Sequence, residues 1–368
     1  MTVTSPASGP RPVRRLTWAA GRLTARLTTP LLPEDYLALL NPLWSAHDLC
    51  GRIEAVVPET AQAATLVIRP GRAWEAAAGQ VRAGQWIRLG VEVNGVRHWR
   101  TFSLSRVPDR ADGTFAVTVK THPDGLVSRC LVRHTRPGAI VRLGRPEGDF
   151  VLPDHPVRPL FLTAGSGVTP VMAMLRDLEP RAGEDIVMIH SARTPRDVIF
   201  GEELRTLAAR RPGFTLIERH TATAGRLRLA ELDGLCPRWA DRPTWACGPS
   251  GLLDAAAEHW AATGRAAGLH IERFQTPTLV TGGEGGTARF AKSGRTAEAP
   301  GDTPLLEVGE EAGALMPSGC RMGICFTCVG RLNSGQVRDL RTGTVHGEEG
   351  DLIQTCVSAA AGPVDIEL

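Results

Sequence analysis

The stretch Cys320-Arg-Met-Gly-Ile-Cys325-Phe-Thr-Cys328 brings three cysteines close together, and Cys356 follows after 27 further residues. This is the C-x4-C-x2-C…C spacing of a [2Fe–2S] cluster, in which four thiolates hold two irons. Gly323 lets backbone N–H groups approach the sulfurs because it has no Cβ. The alternative is a structural zinc site, but zinc sites usually use two C-x2-C pairs, and this group has one. The spacing therefore predicts a [2Fe–2S] centre held by these four cysteines.

Length and composition describe a chain of several globular domains. Its 368 residues are more than twice the ~150 typical of one domain. Apolar residues make up 42% and charged residues 22%, which excludes a mainly disordered chain. The net charge of +3 gives no indication of nucleic-acid binding. No apolar run reaches the ~20 residues that span a bilayer, and the N-terminus lacks the apolar stretch of a secretory signal, so we expect a cytoplasmic location.

Residue patterns divide the chain into an arm, three domains and a linker. Residues 1–48 form an arm rich in Pro, Arg and Leu. Residues 49–155 contain short strands separated by turn residues, which predict an antiparallel barrel or sandwich. Residues 156–275 alternate strands and helices, which predicts a parallel sheet with helices on both faces. A Gly-rich linker follows over 276–286, and 287–368 form a small α+β domain that contains the cysteine group.

The charge of the arm is opposite to that of the C-terminal domain. The first 33 residues hold five Arg and no acid, whereas the segment from Gly286 to the end holds eleven acids and seven bases, a balance of −4. In the arm, Leu16, Leu23 and Leu27 fall on one face of a predicted short basic helix. Such a surface suits peripheral contact with an anionic membrane or an acidic partner, and a partly disordered arm is the alternative.

Two motifs in the predicted barrel suit a ligand that carries a flat ring and a pyrophosphate. The motifs are Arg100-Thr101-Phe102-Ser103 and Gly125-Leu126-Val127-Ser128. Arg100 can bind a phosphate through two hydrogen bonds, Phe102 can stack on the ring, and Ser103 can hydrogen-bond a ring nitrogen. The second motif begins a predicted helix, whose first amides can bind a pyrophosphate. The alternative is an ordinary barrel strand with a packed phenylalanine.

Two turns in the predicted parallel sheet suit a second nucleotide. They are Gly165-Ser166-Gly167-Val168-Thr169-Pro170 and Cys247-Gly248-Pro249-Ser250. The glycines of the first turn allow the backbone to approach phosphate, and the helix that follows favours an anion, although the full G-x-G-x-x-G pattern is absent. The second turn places a thiol at the same edge of the sheet, where ligands of such sheets bind. The alternative for Cys247 is a small buried apolar side chain.

The end of the next strand carries information on the choice of nucleotide. Ser191-Ala192-Arg193 stands where an NAD site usually has Asp or Glu for the ribose hydroxyl. Arg193 and Arg196 suit a 2′-phosphate instead, and the first acid is Asp197. The pattern favours NADPH, with NADH as the alternative.

These motifs, in this order, resemble the ferredoxin–NADP reductase family with a plant-type ferredoxin domain fused at the C-terminus. The resemblance covers Leu49 to Leu368. The family's flavin motif R-x-Y-S appears here with Phe102 in place of Tyr, which keeps the stacking and loses a phenol hydrogen bond. Its C-G-P motif corresponds to Cys247–Pro249, and its late Glu-x-Phe is similar to Glu272-Arg273-Phe274. The resemblance implies FAD, with FMN as the alternative.

The resemblance implies both the architecture and the chemistry of the chain. The expected architecture is a β-barrel flavin domain, an α/β parallel-sheet nucleotide domain and an α+β (β-grasp) ferredoxin domain. NADPH is expected to reduce FAD, with Ser103, Cys247 and Glu272 as the catalytic residues. FAD is then expected to pass single electrons to the cluster, and the cluster to an external protein acceptor.

The arm carries a narrower resemblance. Leu32–Tyr36 and Asn41–Trp44 are similar to the N-terminal segment of bacterial reductases that serve acyl-CoA Δ9 desaturases, which are membrane di-iron enzymes. The resemblance implies such a desaturase as the electron acceptor, with peripheral contact at the inner membrane face. Two alternatives stay open: a reductase for a Rieske oxygenase or a cytochrome P450, and a redox sensor that binds flavin and cluster without sustained turnover.

Overall fold

A computed structural model gives the fold of the chain. It describes residues 33–93, 95–108, 111–122, 125–178, 185–274, 282–318, 323 and 326–368. The predicted helix over Leu16–Leu27 lies outside these ranges. Within them, no helix is both long enough and apolar enough to cross a membrane. Three domains follow one another, which we call the barrel, the nucleotide domain and the ferredoxin domain.

The barrel is a closed antiparallel sheet of six strands in the order β1-β2-β5-β4-β3-β6. Alternating apolar residues fill its interior, and Trp74 stacks on Phe115 with ring centroids 4.9 Å apart. The Trp74 indole also donates to the Gly144 carbonyl over 2.7 Å, which satisfies its buried N–H. The elements are α1 Pro33–Leu40, β1 Cys50–Thr60, β2 Ala63–Pro70, α2 Arg72–Ala78, β3 Trp86–Val93, β4 Val96–Arg106, β5 Phe115–Lys120, α3 Leu126–Arg129 and β6 Ile140–Leu143.

Strand register decides what lies next to the predicted flavin motif. On β3, Trp86 pairs with Ser103 and Arg88 pairs with Thr101. Residues directly opposite in antiparallel strands share a face of the sheet. Trp86 and Arg88 therefore lie beside the motif on β4, on the face that carries Thr101 and Ser103.

The nucleotide domain is a parallel sheet of five strands in the order β11-β10-β7-β8-β9. Both faces are covered, since Phe161 and Met188 pack on one side while Leu162 and Ile189 pack on the other. This arrangement confirms the predicted α/β class. The elements are β7 Leu160–Ala164, α4 Val168–Leu178, β8 Ile186–Ala192, α5 Gly201–Arg210, β9 Phe214–His220, α6 Thr221–Ala224, α7 Leu232–Leu235, β10 Thr244–Cys247, α8 Ser250–Ala262 and β11 Leu269–Glu272.

The ferredoxin domain has a mixed five-stranded sheet, in the order β13-β12-β19-β14-β17, and a three-stranded sheet, β16-β15-β18. Phe290, Leu305, Leu332 and Ile366 are fully buried in its core. The helix across the sheet confirms the predicted α+β class. The elements are β12 Gly286–Phe290, β13 Arg295–Ala299, α9 Leu305–Glu311, β14 Val329–Ser334, β15 Val337–Asp339, β16 Val345–His346, β17 Leu352–Gln354, β18 Ser358–Ala360 and β19 Val364–Ile366.

Candidate functional site

A cavity of about 810 Å³ lies where the barrel meets the nucleotide domain. Its walls include the motif residues Thr101, Phe102 and Ser103, the turn residues Ser166 and Thr169, and the segment 271–274. Pockets of ~300–1,000 Å³ typically hold small molecules and cofactors. The fold thus brings the predicted flavin motif, the first nucleotide turn and the late Glu-x-Phe segment to one cavity.

Ser103 and Glu272 meet across the two domains. The Ser103 hydroxyl donates to Glu272 Oε2 over 3.4 Å. Burial raises the pKa of Glu272 from its ordinary 4.5 to about 8, a rise that Ser103 opposes and Asp149 supports. Glu272 is therefore largely a neutral carboxylic acid at neutral pH, and it holds a proton at the wall of the cavity.

Cys247 lies under this wall rather than in it. It is fully buried, and its strand register places it directly beside Glu272. Burial is the main cause that raises the pKa of the thiol well above its usual range, and the neighbouring Glu272 adds to the effect. Cys247 is thus a protonated, packed thiol, which matches the alternative of a small buried apolar side chain. A catalytic role for Ser103, Cys247 and Glu272 stays a prediction.

The first nucleotide turn fits its surroundings through glycine. Gly165 adopts a left-handed backbone with φ 56°, which favours a residue without Cβ. At Gly167 a Cβ would collide with the Cys247 carbonyl. The sequence predicts that these glycines make room for phosphate. For Gly167 the structure shows a different reason why a side chain is absent. Gly167 makes room for the Cys247-Gly248 turn, so the two predicted turns pack directly against each other. Thr169 and Pro170 are buried in the first turn of α4.

Lys120 is a functional candidate that the sequence motifs missed. It ends β5 and lines the cavity, and its Nζ lies 3.8 Å from where a Cβ of Gly165 would stand. An ammonium at this place can attract the phosphates of a nucleotide that binds at the turn. The sequence gives only a weak indication of a role for Lys120: it stands five residues before Gly125, and Lys is rare in this chain.

Other predicted phosphate ligands lie outside the cavity wall. Arg100 donates from Nη1 to the Trp99 carbonyl over 2.8 Å. The predicted helix at Gly125 is the four-residue α3, and Ser128 closes its turn by accepting from the His122 amide over 3.1 Å. Leu126 is exposed and Val127 is buried under the turn. These residues frame the barrel surface next to β5, and their role in binding pyrophosphate stays a prediction.

The predicted residues for nucleotide choice lie at the carboxyl end of β8. Ser191 is buried there, and Arg193 follows with an exposed side chain. Gly248 and Pro249 follow β10 at the same edge of the sheet, where the Gly248 backbone packs against Ala164. An exposed guanidinium at this edge is able to meet a 2′-phosphate, and the preference for NADPH stays a prediction.

The cluster site is seen in part. Cys320 and Cys325 lie outside the described residues, whereas Cys328 and Cys356 are buried. The Gly323 amide, at φ 70°, donates to Cys356 Sγ over 3.3 Å. An amide that points at a buried sulfur suits a thiolate ligand, because the hydrogen bond stabilises its negative charge. The described part of the site fits the predicted [2Fe–2S] cluster.

Comparison with known proteins finds a family for each of the three domains. A 2Fe-2S iron-sulfur cluster binding domain matches residues 289–361, an oxidoreductase NAD-binding domain matches 161–258, and an oxidoreductase FAD-binding domain matches 75–152. The NADPH oxidoreductase of Mycobacterium tuberculosis is 48% identical over 355 residues, which cover 95% of this chain and 92% of that protein. The chain belongs to the ferredoxin–NADP reductase family, with a ferredoxin domain fused at its C-terminus.

Further relatives include reductase components of oxygenases. The 3-ketosteroid-9-alpha-monooxygenase ferredoxin reductase component of Mycolicibacterium smegmatis is 32% identical, with 81% of this chain and 89% of that protein covered. The solved phthalate dioxygenase reductase matches with a TM-score of 0.61 at 22% identity, covering 87% of this chain and 98% of that chain. The reductase therefore has FAD-, NAD(P)- and [2Fe–2S]-binding domains, as the sequence predicted.

Proposed function

We propose that the reductase takes electrons from NADPH and delivers them singly to an oxygenase-type protein acceptor, which we infer to be a membrane di-iron fatty acyl desaturase. The observation that carries the proposal is the cavity that joins Phe102 and Ser103 to the nucleotide turn and Glu272. When bound, FAD supplies the ability to accept a hydride and release single electrons, and the cluster accepts them one at a time.

The residues of the chain have distinct tasks in this proposal. Phe102 offers a ring face at the cavity wall, and Lys120 holds a positive charge beside the turn at Gly165. Ser103 and Glu272 form a hydrogen-bonded pair at the junction of the domains, with the proton kept on the Glu272 carboxyl. Such a pair fixes the geometry of the site without placing a negative charge beside the reacting ring.

Anaerobic titration tests the electron path. The protein, loaded with both cofactors, is titrated with NADPH and separately with NADH while flavin and iron–sulfur absorbance are followed. We expect both bands to bleach, at lower concentration with NADPH, as for an NADPH oxidoreductase such as the Mycobacterium tuberculosis relative. Turnover with an artificial one-electron acceptor would eliminate the alternative of a redox sensor.

The nucleotide preference has its own variant. Arg193→Ala removes the guanidinium at the end of β8, and we expect it to raise the Kd for NADPH about tenfold, since a hydrogen bond to a charged group contributes about 1.5–3 kcal/mol. Binding of NADH, which has no 2′-phosphate, should not change. Arg210→Ala on α5 is the matched control, because it also removes an exposed arginine of the same domain. Equal losses for both nucleotides would contradict the assignment of Arg193.

The acceptor is tested through α1. Its Leu39 and Leu40 are 78% and 79% exposed, so two large apolar side chains face water shortly after the basic first 33 residues of the arm. We infer that this surface contacts the desaturase or the lipid around it. In Leu39→Gln/Leu40→Gln, turnover with the artificial acceptor should be unchanged and desaturase-coupled turnover should fall several-fold.

A matched control keeps this test specific. Val57→Gln alters another exposed apolar residue, on β1 of the barrel, and should affect neither reaction. If the α1 variant leaves the desaturase reaction unchanged, α1 does not contact the desaturase. If the wild-type reductase supports no desaturase turnover, the acceptor is better sought among monooxygenases. The relatives support this second candidate, since they include reductase components of glycine betaine and 3-ketosteroid monooxygenases.

A further inference from the structure

Arg88 stands between the flavin cavity and Thr327. Thr327 belongs to the segment 320–328, which carries three of the four predicted cluster ligands and which we call the cluster loop. It lies on β3 two residues after Trp86, and it pairs across the strands with Thr101. Both Trp86 and Thr101 line the cavity. The backbone of Arg88 is thereby fixed at the edge of the flavin site, although its side chain leads away from the barrel.

The Arg88 guanidinium reaches the ferredoxin domain. Its Nη1 donates to Thr327 Oγ1 over 2.8 Å, and its Nη2 donates to Glu147 Oε1 over 3.4 Å. Gly144 leaves room for the side chain, since a Cβ there would lie 3.0 Å from Arg88 Cβ. The Nε atom is buried and has no hydrogen-bond partner among the described residues. Two hydrogen bonds thus hold the guanidinium, while its buried Nε keeps a donor that no described residue uses.

Thr327 belongs to the loop that carries the cluster ligands. It stands between the predicted ligands Cys325 and Cys328, and Cys328 is buried directly after it. Its neighbour Phe326 is 67% exposed and has a left-handed backbone with φ 53°. The loop therefore directs Thr327 towards the barrel and Phe326 towards water.

We propose that Arg88 is a positioning residue that holds the cluster loop against the flavin site and, through its charge, raises the reduction potential of the cluster. The step that it would serve is the transfer of one electron from the flavin to the cluster, in which no bond forms or breaks. Because this transfer would add one negative charge to a bound cluster, a nearby guanidinium would favour it. The contact would also hold Thr327 and its loop near the flavin site, and the rate of electron transfer depends steeply on the distance between donor and acceptor.

Arg88→Gln in the full-length protein, loaded with both cofactors, tests the proposal. We expect flavin reduction by NADPH to keep its rate and the following reduction of the cluster to slow several-fold in stopped-flow measurements. The equilibrium between flavin and cluster should shift three- to tenfold towards the flavin, and a tenfold shift is about 59 mV in an anaerobic redox titration of the cluster. Arg88→Lys keeps the charge, so it should restore most of the potential and less of the rate.

Two further variants separate this role from a general structural one. Arg69→Gln is the matched control: Arg69 binds Glu54 over 3.0 Å and the Asp112 carbonyl over 2.9 Å on the barrel, on strand β2 rather than at the cluster loop. Thr327→Val removes the acceptor oxygen from the other side. If Arg88 and Thr327 act through one hydrogen bond, the double variant Arg88→Gln/Thr327→Val should slow cluster reduction no more than Arg88→Gln alone.

Each outcome decides the matter. A wild-type cluster potential and rate in Arg88→Gln would overturn the proposal, as would equal changes in Arg69→Gln or fully additive effects in the double variant. If Arg88→Gln fails to bind flavin, Thr327→Val still reports on the same contact. The proposal rests on the family's cofactors and not on the identity of the acceptor, because every measurement uses only NADPH, flavin and cluster.

Discussion

The barrel meets its two neighbours in different ways. Towards the nucleotide domain the contact is an apolar core, in which Ala63 and Phe150 of the barrel pack in one cluster with Phe161 and Met174. Towards the ferredoxin domain the described contact is the polar pair Arg88–Thr327, and the described apolar clusters of that domain draw on its own residues. Apolar burial fixes a geometry permanently, whereas a polar contact is easier to separate. The apolar packing favours a rigid site for the two-electron step, whereas the polar contact favours an adjustable site for the one-electron step.

The largest effect should come from the rigid side. We expect Glu272→Ala to slow flavin reduction by NADPH about 10²-fold, the scale of a positioned proton-holding group. Anaerobic stopped-flow spectroscopy measures this rate, and electron transfer from flavin to cluster should keep its speed. Glu272→Gln keeps a neutral polar group near Ser103 and should lose less. An unchanged rate in Glu272→Ala would remove Glu272 from the site.

Stability should also differ between the two contacts. Arg176 of α4 donates to the Ser105 carbonyl of the barrel over 2.6 Å and lies 5.0 Å from the Phe200 ring centroid. We expect Arg176→Ala to lower the free energy of unfolding by about 1.5–3 kcal/mol, as for a hydrogen bond from a charged group. Arg88→Ala should lower it by less, because its second hydrogen bond, to Glu147, is 3.4 Å long and its buried Nε has no partner among the described residues.

Denaturant unfolding measures both values. Arg228→Ala serves as the control, because it removes an exposed arginine from a surface ion pair within the nucleotide domain. A larger loss of stability in Arg88→Ala than in Arg176→Ala would contradict the comparison.

The junction of the rigid side should respond to pH. Burial first of all raises the pKa of Glu272 to about 8. Between about pH 4.5 and pH 8 the unfolded chain releases a proton that the folded protein keeps, so the free energy of unfolding falls as pH rises through this range. The fall is at most about 1.4 kcal/mol per pH unit. Thermal unfolding of the flavin-free protein should show a weaker pH dependence in Glu272→Gln, and equal curves would disprove the shift.

The smallest effect concerns the cluster loop. Phe326 combines an exposed ring with a left-handed backbone, which costs about 1 kcal/mol for a bulky residue. Phe326→Asn should therefore raise the free energy of unfolding by up to about 1 kcal/mol, because Asn tolerates this conformation. If the ring contacts the acceptor, electron delivery to the protein acceptor should fall while the internal transfer is unchanged. Equal acceptor rates would show that the ring has no such contact.

The sequence supported the prediction of the fold because each domain carries a local pattern. Cysteine spacing, short strands around Arg100–Ser103 and the βαβ series before Cys247 are all readable along the chain, and the fold class and cofactors were confirmed. The domain boundaries and the roles of site residues stay predictions. The sequence motifs did not predict Lys120 and Arg88, because the role of each depends on residues that only the fold brings near it. The sequence predicts that Gly167 makes room for phosphate. In the structure, the atom that leaves no space for a Cβ there is the carbonyl oxygen of Cys247, eighty residues away in sequence.

The two faces of the cluster loop have a consequence for the order of events in turnover. Thr327 and Phe326 are joined by one peptide bond, yet one faces the barrel and the other faces water. An acceptor that binds at Phe326 then has no need to displace the barrel at Thr327. If the acceptor binds there, the three domains and the acceptor can stay assembled while electrons pass, and dissociation of the ferredoxin domain then sets no upper limit on the rate.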